Sequence, residues 1–296
     1  MRRILSAALL AAALLHPGAA HAKLRVAAST TDLASIASSV GGDAIEVFAI
    51  ARPNADPHRV EALPSYMVKV SRAQVYLKVG LSLDQWADAI IDGSRNDRVL
   101  TVDCSQGVNA LEKPTGKVDA SMGDVHPNGN PHYWLDPRNG AIAARNIAEG
   151  FARADAAHAA DYRARAEAFA KECDAAYERD KALAEKLPSK AIFTYHRSWT
   201  YLADAFGLEV VATVEPVPGI PPTARHLADL VQLAKSRKVA LLLAEPYFAA
   251  DAGQFLNRSA GVRVVTTSSS CEDEKPGSYL AHIHAVIAEC AGGSAK

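Results

Sequence analysis

Beyond residue 22, no stretch of the 296-residue sequence approaches the ~20 consecutive apolar residues that a membrane-spanning helix needs. Neither sign of charge is in excess: 32 Lys and Arg face 33 Asp and Glu, for a formal net charge of -1. Nucleic acid and anionic membrane surfaces are therefore poor partners. The four cysteines include no CxxC pair, so the usual zinc clasp and thiol redox motif are both missing. There is no HExxH and no Gly-x-Ser-x-Gly, the signatures of two large hydrolase classes. No repeat of fixed short period marks the chain as a solenoid or an array.

The amino terminus is informative. Arg2 and Arg3 precede an apolar run over residues 5–15, and Ala20-His21-Ala22 supplies a small-residue stop. This is the pattern of a cleaved secretory signal peptide over residues 1–22. No cysteine stands at the cleavage point to accept a lipid, so the expected product is a soluble periplasmic monomer. Exported cysteines tend to pair. Cys271 and Cys290 bracket the last strand-to-helix segment and are expected to form a disulfide, while the pairing of Cys104 and Cys173 stays open.

Apolar periodicity alternates between strand and helix along most of the remaining length. Strands are expected at residues 24–28, 45–50, 75–79 and 99–102, with helices at 32–40, 64–73 and 83–91 between them. Such alternation implies parallel strands joined by crossovers. Residues 107–131, broken by Pro114, Gly116, Gly123, Pro127, Gly129 and Pro131, read as an exposed loop. Residues 139–187 are helical almost throughout, with a break at 154–158 and a second stretch long enough to be a spine of roughly 40 Å. The α/β alternation then resumes to the end of the chain. The expected fold is α/β: two lobes, each a parallel sheet flanked by helices, joined by a long spine helix, with a site in the interlobe cleft. The boundaries are an N-terminal lobe at 23–138, a helical linker at 139–187 and a C-terminal lobe at 188–296.

In open α/β sheets, ligands bind beyond the carboxyl ends of the strands. A lone histidine is ordinarily a solvated or core residue, so position has to single one out. Of the ten histidines, His16 and His21 fall in the leader, and three others meet the positional test. His58 follows the strand at 45–50, His132 lies just before the helical segment, and His196 follows the strand at 191–194. His126, His158, His226, His282 and His284 fall in a loop or on helices, where solvated or helix-face roles are expected. The three selected histidines are far apart in the chain, and no local spacing motif links them.

The residues around them do carry a resemblance. Asp56-Pro57-His58 with Pro64-Ser65, the segment Asn130-Pro131-His132-Tyr133-Trp134-Leu135-Asp136-Pro137, Tyr195-His196 and Ala244-Glu245-Pro246 are similar to the solute-binding receptors of zinc and manganese ABC importers. The resemblance spans essentially the whole chain after the leader. It implies a non-enzymatic receptor that carries a divalent metal to an inner-membrane ABC permease, with His58, His132 and His196 as ligands. Many members place an aspartate after the last strand of the second lobe, but here the matching stretch reads Thr266-Thr267-Ser268-Ser269-Ser270. Glu215 in Glu215-Pro216 is the expected replacement as fourth ligand, and Glu245 in Glu245-Pro246 the alternative. Three imidazoles and one carboxylate suit Zn2+, whereas Mn2+ favours more oxygen.

Two other functions compete. A zinc-dependent hydrolase would use three protein ligands and an open position for water, which turnover by zinc-loaded protein would reveal. A receptor for a chelated metal or corrinoid would need no converging histidines, so its ligand affinity would survive removal of all three.

Overall fold

A computed structural model describes residues 22–119 and 122–292. The expected leader, apart from Ala22, lies outside the described residues.

The N-terminal sheet consists of β1 (Leu24–Ala28), β2 (Ile45–Ala49), β3 (Val75–Lys78) and β4 (Leu100–Asp103) in the order β2-β1-β3-β4, with every pair parallel. Parallel neighbours require crossovers. These are α1 (Thr31–Gly41), α2 (Pro64–Val70) and α3 (Trp86–Ser94). The C-terminal sheet repeats the order as β6-β5-β7-β8, with β5 at Ala191–Thr194, β6 at Glu209–Thr213, β7 at Leu241–Ala244 and β8 at Arg263–Thr266. Its helices are α6 (Thr200–Phe206), α7 (Ala224–Arg237), α8 (Asp251–Ala260) and α9 (Ser278–Cys290). β5 and β7 are buried at every position. Apart from Thr194 they read as continuous apolar runs, as strands covered on both faces do.

Between the sheets run α4 (Pro137–Ala154) and α5 (Ala159–Ala184), separated by a short 3-10 turn at Ala156–His158. Asp136 caps α4 through Arg138 N–H, and Pro137 takes the first helical position, where its missing N–H costs nothing. At 26 residues, α5 is about 39 Å long. It ends a little before the expected residue 187. One apolar core runs through both lobes, joining Val26 and Leu77 to Ile147, Phe151 and Phe169, and onward to Leu241, Leu243 and Ile287.

Helix α3 starts later than its apolar pattern suggests. The buried Asp84 carboxylate accepts from Val79 N, Gly80 N and Ser29 Oγ, which holds residues 80–84 as a turn. Gly80, Leu81 and Ser82 in that turn all have positive φ, at 84°, 50° and 70°.

A polar strap also ties the lobes. Thr31 Oγ1 donates to Cys271 O at 2.6 Å, Cys271 N to Asp32 Oδ1 at 3.0 Å and Ser35 Oγ to Lys275 O at 2.7 Å. Ala49 N donates to Glu274 Oε1 at 2.9 Å, and Trp134 Nε1 to Ser269 O at 2.7 Å. The strap corrects the expected disulfide. Cys271 is held against the start of α1, whereas Cys290 lies at the far end of α9, a 13-residue helix about 20 Å long. A disulfide needs Cα atoms within about 7 Å. All four cysteines are free and buried.

Candidate metal centre

His196 follows β5 and Glu245 follows β7, both at the carboxyl end of the second sheet. His58 lies in the loop after β2. His132 heads the 3-10 turn Tyr133–Leu135 that leads into α4. From these separate starting points the fold brings the three rings together. Ring centroids are 5.1 Å apart for His58 and His132, 5.2 Å for His58 and His196, and 5.6 Å for His132 and His196. One nitrogen from each lies within 4.8 Å of the other two, and among the described residues this is the group able to hold a metal ion.

The orientation of each ring is set from behind. Asp56 Oδ1 lies 2.8 Å from His58 Nδ1 and 2.9 Å from His58 N. Asn130 Oδ1 makes the same pair of contacts with His132, at 2.9 and 3.0 Å. Both pairs follow one local design, Asp-Pro-His or Asn-Pro-His. The short side chain turns back on the residue two ahead, and proline fixes the backbone between them. Asn130 cannot be flipped without loss, because its amide nitrogen donates to Glu112 Oε2, Arg197 O and Thr200 Oγ1. For His196 the acceptor comes from the neighbouring strand's exit: Glu215 Oε2 lies 2.7 Å from Nδ1 and also accepts from Gly219 N at 3.0 Å. An oxygen that accepts from Nδ1 places the proton there and leaves the Nε2 lone pair for a ligand. The Nε2 atoms of His58 and His132 are buried without a hydrogen-bond partner. An orphaned buried nitrogen is costly unless something occupies it.

The electrostatics follow the same division. Burial, followed by the charges of His58 and His196, holds His132 well below the ordinary imidazole range, which keeps it neutral. Burial also opposes a charged His196, but the Glu215 hydrogen bond and the Glu245 charge outweigh it and carry its pKa upward. Asp56 is desolvated, yet its bonds to His58 take its pKa down. Burial pushes Glu245 up to about 7 against the pull of His196 and of the neighbouring Ser198 and Trp199 side chains.

Glu215, expected from sequence as the fourth ligand, is turned towards His196 Nδ1 and stands outside the three-nitrogen group. Glu245 stands outside it too. Asp56 and Asn130 were missed as positioning residues. Their signal was the Asx-Pro-His spacing, written twice in the chain.

Each tryptophan adjoins one of the three histidine segments. Trp86 Nε1 donates to Pro57 O at 2.9 Å, the buried Trp134 ring lies 5.3 Å from His132, and Trp199 is buried three residues after His196. A cleft lined by Asp56, His58, His196, Glu215, Tyr247 and Phe248 leads to the rings.

Residues 26–291 match the family model described as zinc-uptake complex component A, periplasmic, or ZnuA. The chain belongs to the ZnuA family. Curated relatives differ in the metal they are named for. The zinc-binding lipoprotein AdcA of Streptococcus pneumoniae is 26% identical over 254 residues, 82% of this chain but 49% of that longer protein. The manganese transporter substrate-binding lipoprotein PsaA of the same species is 26% identical over 236 residues, 75% of this chain and 72% of PsaA. The iron-binding protein YfeA of Yersinia pestis is 26% identical over 216 residues, 71% of this chain and 66% of YfeA. A crystal structure of ZnuA superposes with a TM-score of 0.78 at 24% identity, covering 92% of this chain and 99% of that one, and so shares the fold. The family model describes a periplasmic uptake component, which favours transport over hydrolysis.

Proposed function

We propose that this chain is a periplasmic receptor that captures one zinc ion between its lobes and delivers it to the permease of an inner-membrane ABC importer. The observation that carries the reading is the convergence of three imidazoles whose Nδ1 atoms are each held by an oxygen. His58, His132 and His196 are the proposed ligands. Glu215 orients His196 and increases its basicity, as carboxylates behind metal-bound histidines do. Neutral nitrogen donors favour zinc over manganese, which prefers oxygen. The basic, apolar and small-residue pattern of residues 1–22 supports export to the periplasm.

Calorimetric titration of the metal-free chain should show one zinc bound per monomer at pH 7. His132→Ala should abolish tight binding. Affinity should fall on acidification, because ligation requires neutral imidazole. A titration without zinc uptake, or a site indifferent to His132→Ala, would overturn the reading.

A further inference from the structure

A fourth histidine repeats the construction of the first three. His126 lies in the long loop between β4 and α4, a position that by itself suggests a solvated side chain. Instead its ring stacks on His58 with centroids 5.2 Å apart, the same separation as between His58 and His196. Two imidazoles bound to one tetrahedral zinc at roughly 2.0–2.1 Å have ring centres about 5 Å apart. The Nδ1 of His126 donates to Ser82 O at 3.2 Å, and its Nε2 is buried without a partner.

The acceptor behind His126 comes from unfavourable backbone. Leu81 and Ser82 are non-glycine residues with φ of 50° and 70°, a conformation that needs support from its surroundings. Asp84 supplies that support by gripping Val79 N and Gly80 N. Ser82 is contacted a second time by the loop, through Asn128 Nδ2 to its Oγ at 3.0 Å. The loop is also pinned to the opposite lobe, where Asp124 N donates to Pro218 O at 2.9 Å. At its base Tyr201 Oη accepts from Leu111 N at 2.9 Å and donates to Asn130 O at 2.8 Å. A small recess of about 30 Å³ lies between His126, His132 and His196, enough for one water-sized occupant.

We propose that His126 is the fourth ligand, closing an all-imidazole shell that selects zinc over manganese. The assignment rests on the zinc-receptor reading and deepens it. His126 lies outside the group of three. A small shift of its ring along the stack brings Nε2 to the ion while Ser82 O keeps hold of Nδ1. Four nitrogen donors leave no oxygen in the shell, which disfavours manganese more than a carboxylate-capped site would.

The test uses the full chain, with zinc and manganese chlorides as probes. X-ray absorption of the zinc-loaded wild type should count four imidazoles, and His126→Ala should count three plus an oxygen. In competition titrations, His126→Ala should lose at least about 10-fold in zinc affinity. It should lose less for manganese, so that the zinc preference narrows. His126→Gln should not restore the zinc affinity. A wild-type shell of three imidazoles, or a His126→Ala variant with unchanged zinc affinity, overturns the assignment and leaves the receptor reading standing. A wild type that takes up no zinc overturns both.

Discussion

Asp56, Asn130 and Glu215 perform one task with different chemistry, which makes the task separable from charge. Each accepts from the Nδ1 of a histidine, but Asn130 is neutral and the other two are carboxylates. If Glu215 acts by orienting His196, Glu215→Gln keeps an acceptor and should lose only part of the zinc affinity. Glu215→Ala leaves Nδ1 unpaired and should lose about 10- to 100-fold. Equal losses for the two variants would instead make Glu215 a direct donor to the ion. Glu215→Gln should still weaken zinc more than Glu245→Gln, because Glu215 holds His196 Nδ1 directly at 2.7 Å whereas Glu245 acts on that ring only through its charge. The three converging histidines could be picked out from sequence because each sits at a strand exit or beside an Asx-Pro-His turn. The hydrogen bond of Glu215 to His196 and the stacking of His126 on His58 could not. Sequence places a residue at the mouth of a sheet, but which oxygen faces which nitrogen is decided by packing between distant segments.

Among the elements, the strap across residues 269–279 has the most testable electrostatics. It is anchored on the first turn of α1, where Asp32 is fully buried and burial raises its pKa to about 6. An acid whose pKa is higher folded than unfolded binds more protons in the folded state, so it contributes stability at low pH. That contribution is lost as the pH rises from about 4 to about 6, and above this range the buried charge is a standing cost. Asp32→Asn keeps an acceptor for Cys271 N–H and removes the charge. It should stabilise the protein at pH 8 by on the order of 1–3 kcal/mol, with the gain vanishing near pH 4. Thermal unfolding at both pH values measures this, and an equal gain at each would show that the buried charge is not responsible. The strap also shows why strands and helices were recoverable from periodicity while their tertiary ties were not. Residues 269–279 contain no regular pattern before α9 begins. Several of their hydrogen bonds go to the other lobe, among them those that hold Cys271 against α1.

At the scale of the whole molecule, the two lobes are not independent bodies. One apolar core crosses α4 and α5 into both sheets, and the strap adds polar ties across the same boundary. Opening the cleft by a wide rotation would expose that core, so zinc binding should change the radius of gyration very little. Small-angle scattering with and without zinc checks this, and a large compaction would contradict it. The alternation of strand and helix was enough to anticipate two parallel sheets about a long helix, because each segment is long relative to its period. The common order of the two sheets emerges only from the structure. The tryptophans give the molecule an optical consequence. The indoles of Trp86, Trp134 and Trp199 stand beside the segments of His58, His132 and His196, so each histidine segment has its own chromophore. An ion drawn between the rings would alter the polarity and quenching felt by all three, and near-ultraviolet emission should follow zinc capture without any label. Replacing the tryptophans one at a time with phenylalanine would resolve the signal into three local reports, showing in what order the segments close on the ion.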